Sequence, residues 1–150
     1  MFEVLDVGCG THPKGDVNVD LYVTVKERKT QTFVDVKFIE TKNLVKADAH
    51  HLPFKNETFD KIICSHTIEH LLQPYIALKE MYRVLKPNHL LFLDLPNSFL
   101  LLKTGKVEHL THFYSWTPSS LSHLLEQIGF KIYRTTEVVH RINMQVVAKK

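Results

Sequence analysis

Cysteine is scarce in this chain: there are two in 150 residues, Cys9 and Cys64. Two thiols cannot build the disulfide framework of a small secreted fold, so both are expected to be reduced. Neither sits in an evident Cys–His pairing, which turns the reading away from a catalytic thiol. Long apolar runs are also missing. No stretch approaches the roughly 20 residues that a membrane-spanning helix needs. Strand-like residues begin at Phe2, where a signal peptide would have its charged start. A soluble, cytoplasmic protein without a membrane span is therefore expected. Glycine is held to five residues and tryptophan to one, and no repeat, low-complexity tract or Pro/Gly/Ser-rich linker is present. Charge of neither sign dominates: 19 basic residues stand against 16 acidic ones, with ten histidines. Nucleic-acid surfaces usually show as a concentrated basic stripe. The densest run here, Lys26-Glu27-Arg28-Lys29, mixes signs and reads as a solvated loop. Charge thus does not single out nucleic acid as a partner, and leaves it open. The remaining composition, 44% hydrophobic and 23% charged, is that of one globular domain over residues 1–150.

Strand and helix patterns alternate along the chain. Residues 2 to 7 read as a short apolar strand that runs into the turn Gly8-Cys9-Gly10. From Val17, the residues Val17, Val19, Leu21, Val23 and Val25 alternate with Asn18, Asp20, Tyr22 and Thr24, the period of a strand. The spacing from Gly10 to Asp20 is too short for a crossover with a full helix, which takes a dozen residues or more. That first crossover should hold one helical turn or none, and Pro13 and Gly15 suit a loop. Phe33 to Phe38 alternates and is a candidate extra strand, and residues 43 to 47 read as a short strand ending at Asp48. Phe59 to Ser65 looks like a strand buried on both faces of a parallel sheet. Pro74 to Lys86 is amphipathic, with Tyr75, Leu78, Met81, Tyr82 and Leu85 sharing a face, and Pro87 is expected to stop it. His89 to Leu95 is another buried strand. Thr117 as N-cap, Pro118 at the first helical position, a stripe of Leu121, Leu124, Leu125 and Ile128, and Gly129 as the stop define a last helix. Residues 130 to 137 and 140 to 148 look like a closing antiparallel pair. Such alternation means an open, mostly parallel sheet that binds ligands at the carboxyl ends of its strands.

Several motifs stand on this frame: Val4-Leu5-Asp6-Val7-Gly8-Cys9-Gly10, Asp20, Asp48-Ala49, Leu52-Pro53-Phe54, Phe59-Asp60, Glu69-His70-Leu71 and Arg83-Val84-Leu85-Lys86-Pro87. In this order and spacing the set closely resembles the class I S-adenosylmethionine-dependent methyltransferases, in a small type-11-like branch, over about residues 4 to 130. The resemblance implies an α/β, Rossmann-like methyltransferase fold: a minimal single domain, its sheet mostly parallel with a reversed final strand. It also implies a site. Gly8 and Gly10, with Cys9 between them, would clear space for the cofactor's amino-acid tail. Asp6 would reach the tail's ammonium group. Asp20, with Leu21 beside it, would accept both ribose hydroxyls, a task suited to the two oxygens of a carboxylate. Asp35 also follows a β-like run and is a rival for that role. Asp48 would accept from the adenine amino group, and Ala49 would offer its N–H to the ring. Ser65 and His66 would lie beside the methionine portion. Leu52-Pro53-Phe54 resembles the turn packed over the adenine. The chain departs from the pattern at His12, where a third glycine is usual, and at Asn88-His89, where a glycine pair is common. Asparagine tolerates the left-handed conformation.

Methyl transfer from a sulfonium is an in-line displacement, so the main task is to place the nucleophile about 3 Å from the methyl carbon. A base is needed only for a hydroxyl or a protonated amine. From a set that also includes His66 and Tyr114, His70, His109 and His112 are taken as the catalytic candidates. His66 and His70 would share a face if helical. With Glu69 they suggest a metal, but that spacing alone supplies two ligands, so no metal is expected. The resemblance implies a small-molecule acceptor, a lipid or sugar-like hydroxyl or amine, by analogy with quinone-biosynthesis and glycan-associated members. A nucleic-acid or protein methyltransferase is the alternative, since Leu95-Pro96-Asn97 loosely resembles the Asn-Pro-Pro-aromatic motif of amino-methylating enzymes. A non-catalytic S-adenosylmethionine-binding regulatory module is an alternative of another class. A nicotinamide dehydrogenase would leave Asp48-Ala49 and Glu69-His70 unexplained. The run Phe99-Leu100-Leu101-Leu102 is too apolar to be left bare, so it should mark a homodimer or partner contact, or fold back as a lid.

Overall fold

A computed structural model describes residues 3–21, 43–105 and 112–150. Among these the chain runs β1 (Val4–Val7), β2 (Val17–Asp20), β3 (Leu44–Lys46), β4 (Phe59–Ser65), a 3₁₀ turn (Ile68–His70), α1 (Pro74–Val84), β5 (Leu85–Pro96), α2 (Ser98–Thr104), α3 (Pro118–Ile128), β6 (Lys131–Val138), a second 3₁₀ turn and β7 (Asn143–Lys149). The strands form one sheet in the order β3-β2-β1-β4-β5-β7-β6. Pairing is parallel from β3 through β5, and β7 runs antiparallel to both β5 and β6. The sheet is thus mostly parallel with a reversed final strand, as the sequence implied. Among the described residues no helix is long and apolar enough to cross a membrane.

The core follows from the apolar spacing. Leu5, Val7, Ile62, Leu91, Leu93 and Leu95 come from the central strands. Ala77, Leu78, Met81 and Val84 of α1, with Leu121 and Leu125 of α3, join them in one buried cluster. Positions three and four apart on a helix lie on one face, which is why these side chains reach the sheet together. Local signals place α3 where expected: Thr117 and Ser120 form a reciprocal capping box, and Gly129 closes the helix at φ +119°.

The first crossover carries no helix. Asn18 holds its loop closed, accepting from Gly15 N–H (3.0 Å) and donating to Gly15 C=O (3.0 Å). A Cβ on Gly15 would lie 2.5 Å from Val17 O and 2.7 Å from Asp6 N, so only glycine fits between these backbones. Within the described residues β2 ends at Asp20. The alternation after Leu21, the candidate strand Phe33 to Phe38 and Asp35 lie outside the described residues.

The junction of α1 and β5 differs from the expectation. The helix ends at Val84, and Leu85 is already extended and paired with Phe59 of β4. The next pair is Lys61 with Leu90, so residues 86 to 89 form a bulge, with Asn88 at φ +65°. Pro87 sits in that bulge and does not end the helix; strand pairing at Leu85 ends it first. Helix α2 is a second difference, because its run of leucines shows no helical period. It is set by its ends: Asn97 Oδ1 accepts from Phe99 N–H (3.1 Å) and Gly105 turns left-handed.

Candidate functional site

The strand order reverses between β1 and β4: β2 and β3 extend to one side of β1, and β4 and β5 to the other. Ligands of such sheets bind outside the carboxyl ends of the strands at this switch point. The turn Gly8-Cys9-Gly10 leaves β1 there, with Gly8 at φ +72° and Gly10 at φ +59°. Its backbone is tied to the next strand, since Gly8 N–H and Cys9 N–H both donate to Val19 O (2.8 and 3.1 Å). Gly10 N–H donates to Asp20 Oδ2 (2.9 Å). The Asp20 carboxylate, buried at the end of β2, therefore orients the glycine turn. Asp6, 2% exposed, accepts from Lys14 N–H (2.8 Å). Burial pushes the Asp6 carboxyl above its usual range, against the pull of the Lys14 N–H and charge, and the Asp20 carboxylate adds to the push. Two buried carboxylates thus flank a left-handed glycine turn at the switch point.

Gly8 serves a purpose the sequence did not reveal. A Cβ there would lie 2.1 Å from Thr67 Oγ1. The space a Cβ would take is filled by Thr67, in the segment after β4. Lys14 is a second residue the sequence reading missed. Its ammonium donates to Ser65 Oγ (3.1 Å), bridging the first crossover to the end of β4. Nothing in a single lysine of a short loop signals this.

Asp48 and Ala49 follow β3. Ala49 is buried, and Leu21 at the end of β2 is 45% exposed. The Asp48 carboxylate accepts from His50 N–H (2.9 Å) and pairs with His50 Nδ1. Burial raises the Asp48 carboxyl, but these His50 interactions outweigh it and hold the group below its usual range. The next turn is fastened from α1. Arg83 donates to Glu80 through Nε (2.7 Å) and Nη2 (2.8 Å), and to Phe54 O (2.8 Å) and Leu52 O (3.0 Å). Glu80 in turn accepts from Leu52 N–H (2.9 Å). Arg83 and Glu80 thus shape the Leu52-Pro53-Phe54 turn, and Lys86 pairs with Asp60 at the start of β4 (2.9 Å).

Beyond Ser65 the chain bends sharply, with His66 at φ +47°. His66 Nδ1 lies 3.5 Å from Glu69 Oε1, and its Nε2 meets the Asn143 amide at 3.0 Å. The Glu69 contact raises the His66 pKa, against the opposing effect of burial. Only one 3₁₀ turn follows, so His66 and His70 do not share an α-helical face. His70 instead meets His112, ring centroids 4.8 Å apart and edge to face. This meeting is fixed by backbone, because Phe113 N–H donates to Glu69 O (2.8 Å). Tyr114 Oη adds a bond to Leu72 O (3.0 Å). Close by in the chain an open groove of about 480 Å³ is lined by Leu72, Pro74, Tyr75, Tyr114, Trp116 and Leu124, among others. His109 lies outside the described residues.

Two further residues singled out in the sequence are buried. Asn97 is fully buried: its oxygen caps α2 and its amide donates to Glu137 Oε1 (3.0 Å), which is a structural role. Cys64 is buried and its thiol is pushed far up by that burial, out of the thiolate range.

Comparison with known proteins identifies the family and the fold. A family model described as a methyltransferase domain matches residues 3–135. The chain is 39% identical over 75 residues to the ubiquinone/menaquinone biosynthesis C-methyltransferase UbiE of Haemophilus ducreyi, covering 49% of this chain and 27% of that protein. It is 34% identical over 100 residues to the demethylmenaquinone methyltransferase of Staphylococcus aureus, 57% of this chain and 39% of that one. It is 31% identical over 138 residues to an uncharacterised protein of Methanocaldococcus jannaschii, 91% and 58%. The chain thus spans less than two thirds of the length of each. Among solved structures, a SAM-dependent methyltransferase of Thermotoga maritima superposes with a TM-score of 0.73 at 22% identity, over 100% of this chain and 83% of that one. One from Methanosarcina mazei gives 0.71 at 20% identity, over 99% and 92%. The chain belongs to the methyltransferase domain family, whose methyl donor is S-adenosylmethionine.

Proposed function

We propose that this domain transfers a methyl group from S-adenosylmethionine to a small molecule with an apolar body and a hydroxyl, an amine or an activated aromatic carbon as its nucleophile. The observation that carries the reading is the His70–His112 contact, two residues along the chain from Leu72 and Tyr114 of an apolar groove, in segments that follow the same sheet edge as the Gly8–Gly10 turn and Asp20. The relatives named for ubiquinone and menaquinone biosynthesis support an acceptor with an apolar portion.

Bound there, the cofactor supplies a methyl on positively charged sulfur, which departs as a neutral thioether. The chain's own part is placement. Asp6 would hold the ammonium end and Asp20 the ribose hydroxyls, with the Gly8–Gly10 turn between them. Asp48, Ala49 and Leu21 would border the adenine end, and Ser65 and His66 the methionine portion. For a hydroxyl or protonated amine, the proton passes to an imidazole nitrogen of His70 or His112, with His109 as the third candidate. On α2, Phe99 is 49% and Leu102 is 80% exposed, which supports a homodimer or partner contact there.

Calorimetry with S-adenosylmethionine and its demethylated product, followed by turnover on hydroxyl, amine and quinol acceptors with apolar bodies, tests the reading. Both compounds should bind, and at least one acceptor class should be methylated. For a hydroxyl acceptor, His70→Ala or His112→Ala should lower turnover about 10²-fold with cofactor affinity unchanged. Methylation of nucleic acid or protein alone would overturn the acceptor class. Binding with no turnover on any of these would make the domain a binding module.

A further inference from the structure

We propose that Glu69, His70 and His112 form a binding site for a divalent transition cation of the zinc, cobalt or manganese type, with water completing its coordination. The first observation is their convergence. One carboxylate oxygen and one nitrogen from each imidazole all lie within 4.8 Å of one another. The second is independent of it. Glu69 is 1% exposed and neither of its carboxylate oxygens has a hydrogen-bond partner of good geometry; the one basic group beside it is His66, whose Nδ1 lies 3.5 Å from Oε1. That single long contact leaves most of the carboxylate's acceptor capacity unused, and buried carboxylates are normally fully hydrogen-bonded, paired or bound to a metal. Here the carboxylate belongs to the same cluster as the two imidazoles.

The fold builds this set from two segments. The 3₁₀ turn after β4 presents Glu69 and His70, and the Phe113 N–H bond to Glu69 O (2.8 Å) brings His112 against His70. One carboxylate and two imidazoles are an established donor set for zinc, with a fourth position left for water. Metal–ligand bonds of about 2.0–2.1 Å in a tetrahedral site put the donors about 3.4 Å apart. The cation would draw these three side chains together by turning about their side-chain bonds.

The cation site goes beyond the methyl-transfer reading and stands without it. It does bear on one point, since a nitrogen bound to a cation cannot also take a proton from an acceptor. The test is therefore made without turnover. The full chain, stripped with a chelator, is titrated with zinc by calorimetry and with cobalt by visible absorption, and binding of the demethylated cofactor is measured alongside. One zinc per chain and a cobalt ligand-field band are expected. Glu69→Gln and His112→Gln should each weaken zinc by more than the roughly 10–100-fold lost with a mere supporting group. His112→Gln, on a less buried residue, carries the test if Glu69→Gln does not fold. No saturable binding to the wild-type chain overturns the site. So does equal binding by the wild type and His112→Gln, which would assign the metal to other histidines. If the site fails while the demethylated cofactor still binds, the methyltransferase reading is untouched.

Discussion

A Cβ on Gly8 would lie 2.1 Å from Oγ1 and 2.5 Å from Cγ2 of Thr67. The glycine that opens the turn after β1 is thus required by a side chain on the far side of the switch point, and Thr67 is itself held by a bond to Ser65 O (2.9 Å). Backbone conformation adds to this, because Gly8 adopts a φ of +72°. Gly8→Ala is expected to destabilise the protein by about 2–4 kcal/mol through strain and overpacking. Adding Thr67→Gly should restore the overpacking share and not the share from φ. Denaturant unfolding of the two single variants and the double variant measures this coupling.

Asp20 both orients Gly10 and is the candidate ribose ligand. Asp20→Ala should weaken cofactor binding by roughly 1.5–3 kcal/mol, the scale for losing a charged hydrogen-bond partner. Asp20→Asn, which keeps an acceptor for Gly10 N–H, should preserve the fold and still bind more weakly than the wild type. Calorimetry on both variants decides it. Wild-type affinity in both, with loss in Asp35→Ala, would move the ribose contact to Asp35.

Asp6 should show opposite signs in stability and binding. Its carboxyl is raised by burial, so its contribution favours the fold at low pH and is lost as pH rises from the unfolded value through the higher folded one. Asp6→Asn is expected to unfold at a higher temperature than the wild type at neutral pH, without cofactor. If Asp6 holds the ammonium as proposed, the variant should also bind S-adenosylmethionine more weakly. Thermal unfolding and calorimetry on the same preparation test the pair.

The Glu80–Arg83 pair should govern acid sensitivity at the Leu52-Pro53-Phe54 turn. The Arg83 hydrogen bonds hold the Glu80 carboxyl below its usual range despite partial burial. Its stabilisation is complete above the unfolded carboxylate value and is lost as pH falls through the lower folded value. Glu80→Gln should flatten that part of the stability–pH curve. Arg83→Met should destabilise by roughly 2 kcal/mol, since it leaves Leu52 O and Phe54 O without this donor. Urea unfolding across the acidic range tests both.

Read by itself, the sequence determined the features that arise within a few residues. The period of two in β2, the apolar run of β4, the Thr117 and Gly129 boundaries of α3 and the crossover too short for a helix are all local signals. They depend on sterics, capping and chain length, which adjacent residues carry. The order of the motifs carried the family, and with it the reversed strand and the cofactor. Long-range pairing decided the rest. Leu85 has a helical pattern, yet partnership with Phe59 makes it a strand residue. Leucines without a period became α2 because Asn97 and Gly105 cap them. Arg83, distant in sequence from the turn it fastens, reads locally as a solvated helix position. Spacing points to His66 and His70 as neighbours, whereas His70 meets His112, which the bond from Phe113 N–H to Glu69 O brings to it. Such meetings are set by which strands pair and how the intervening segments return. No short stretch of chain encodes them.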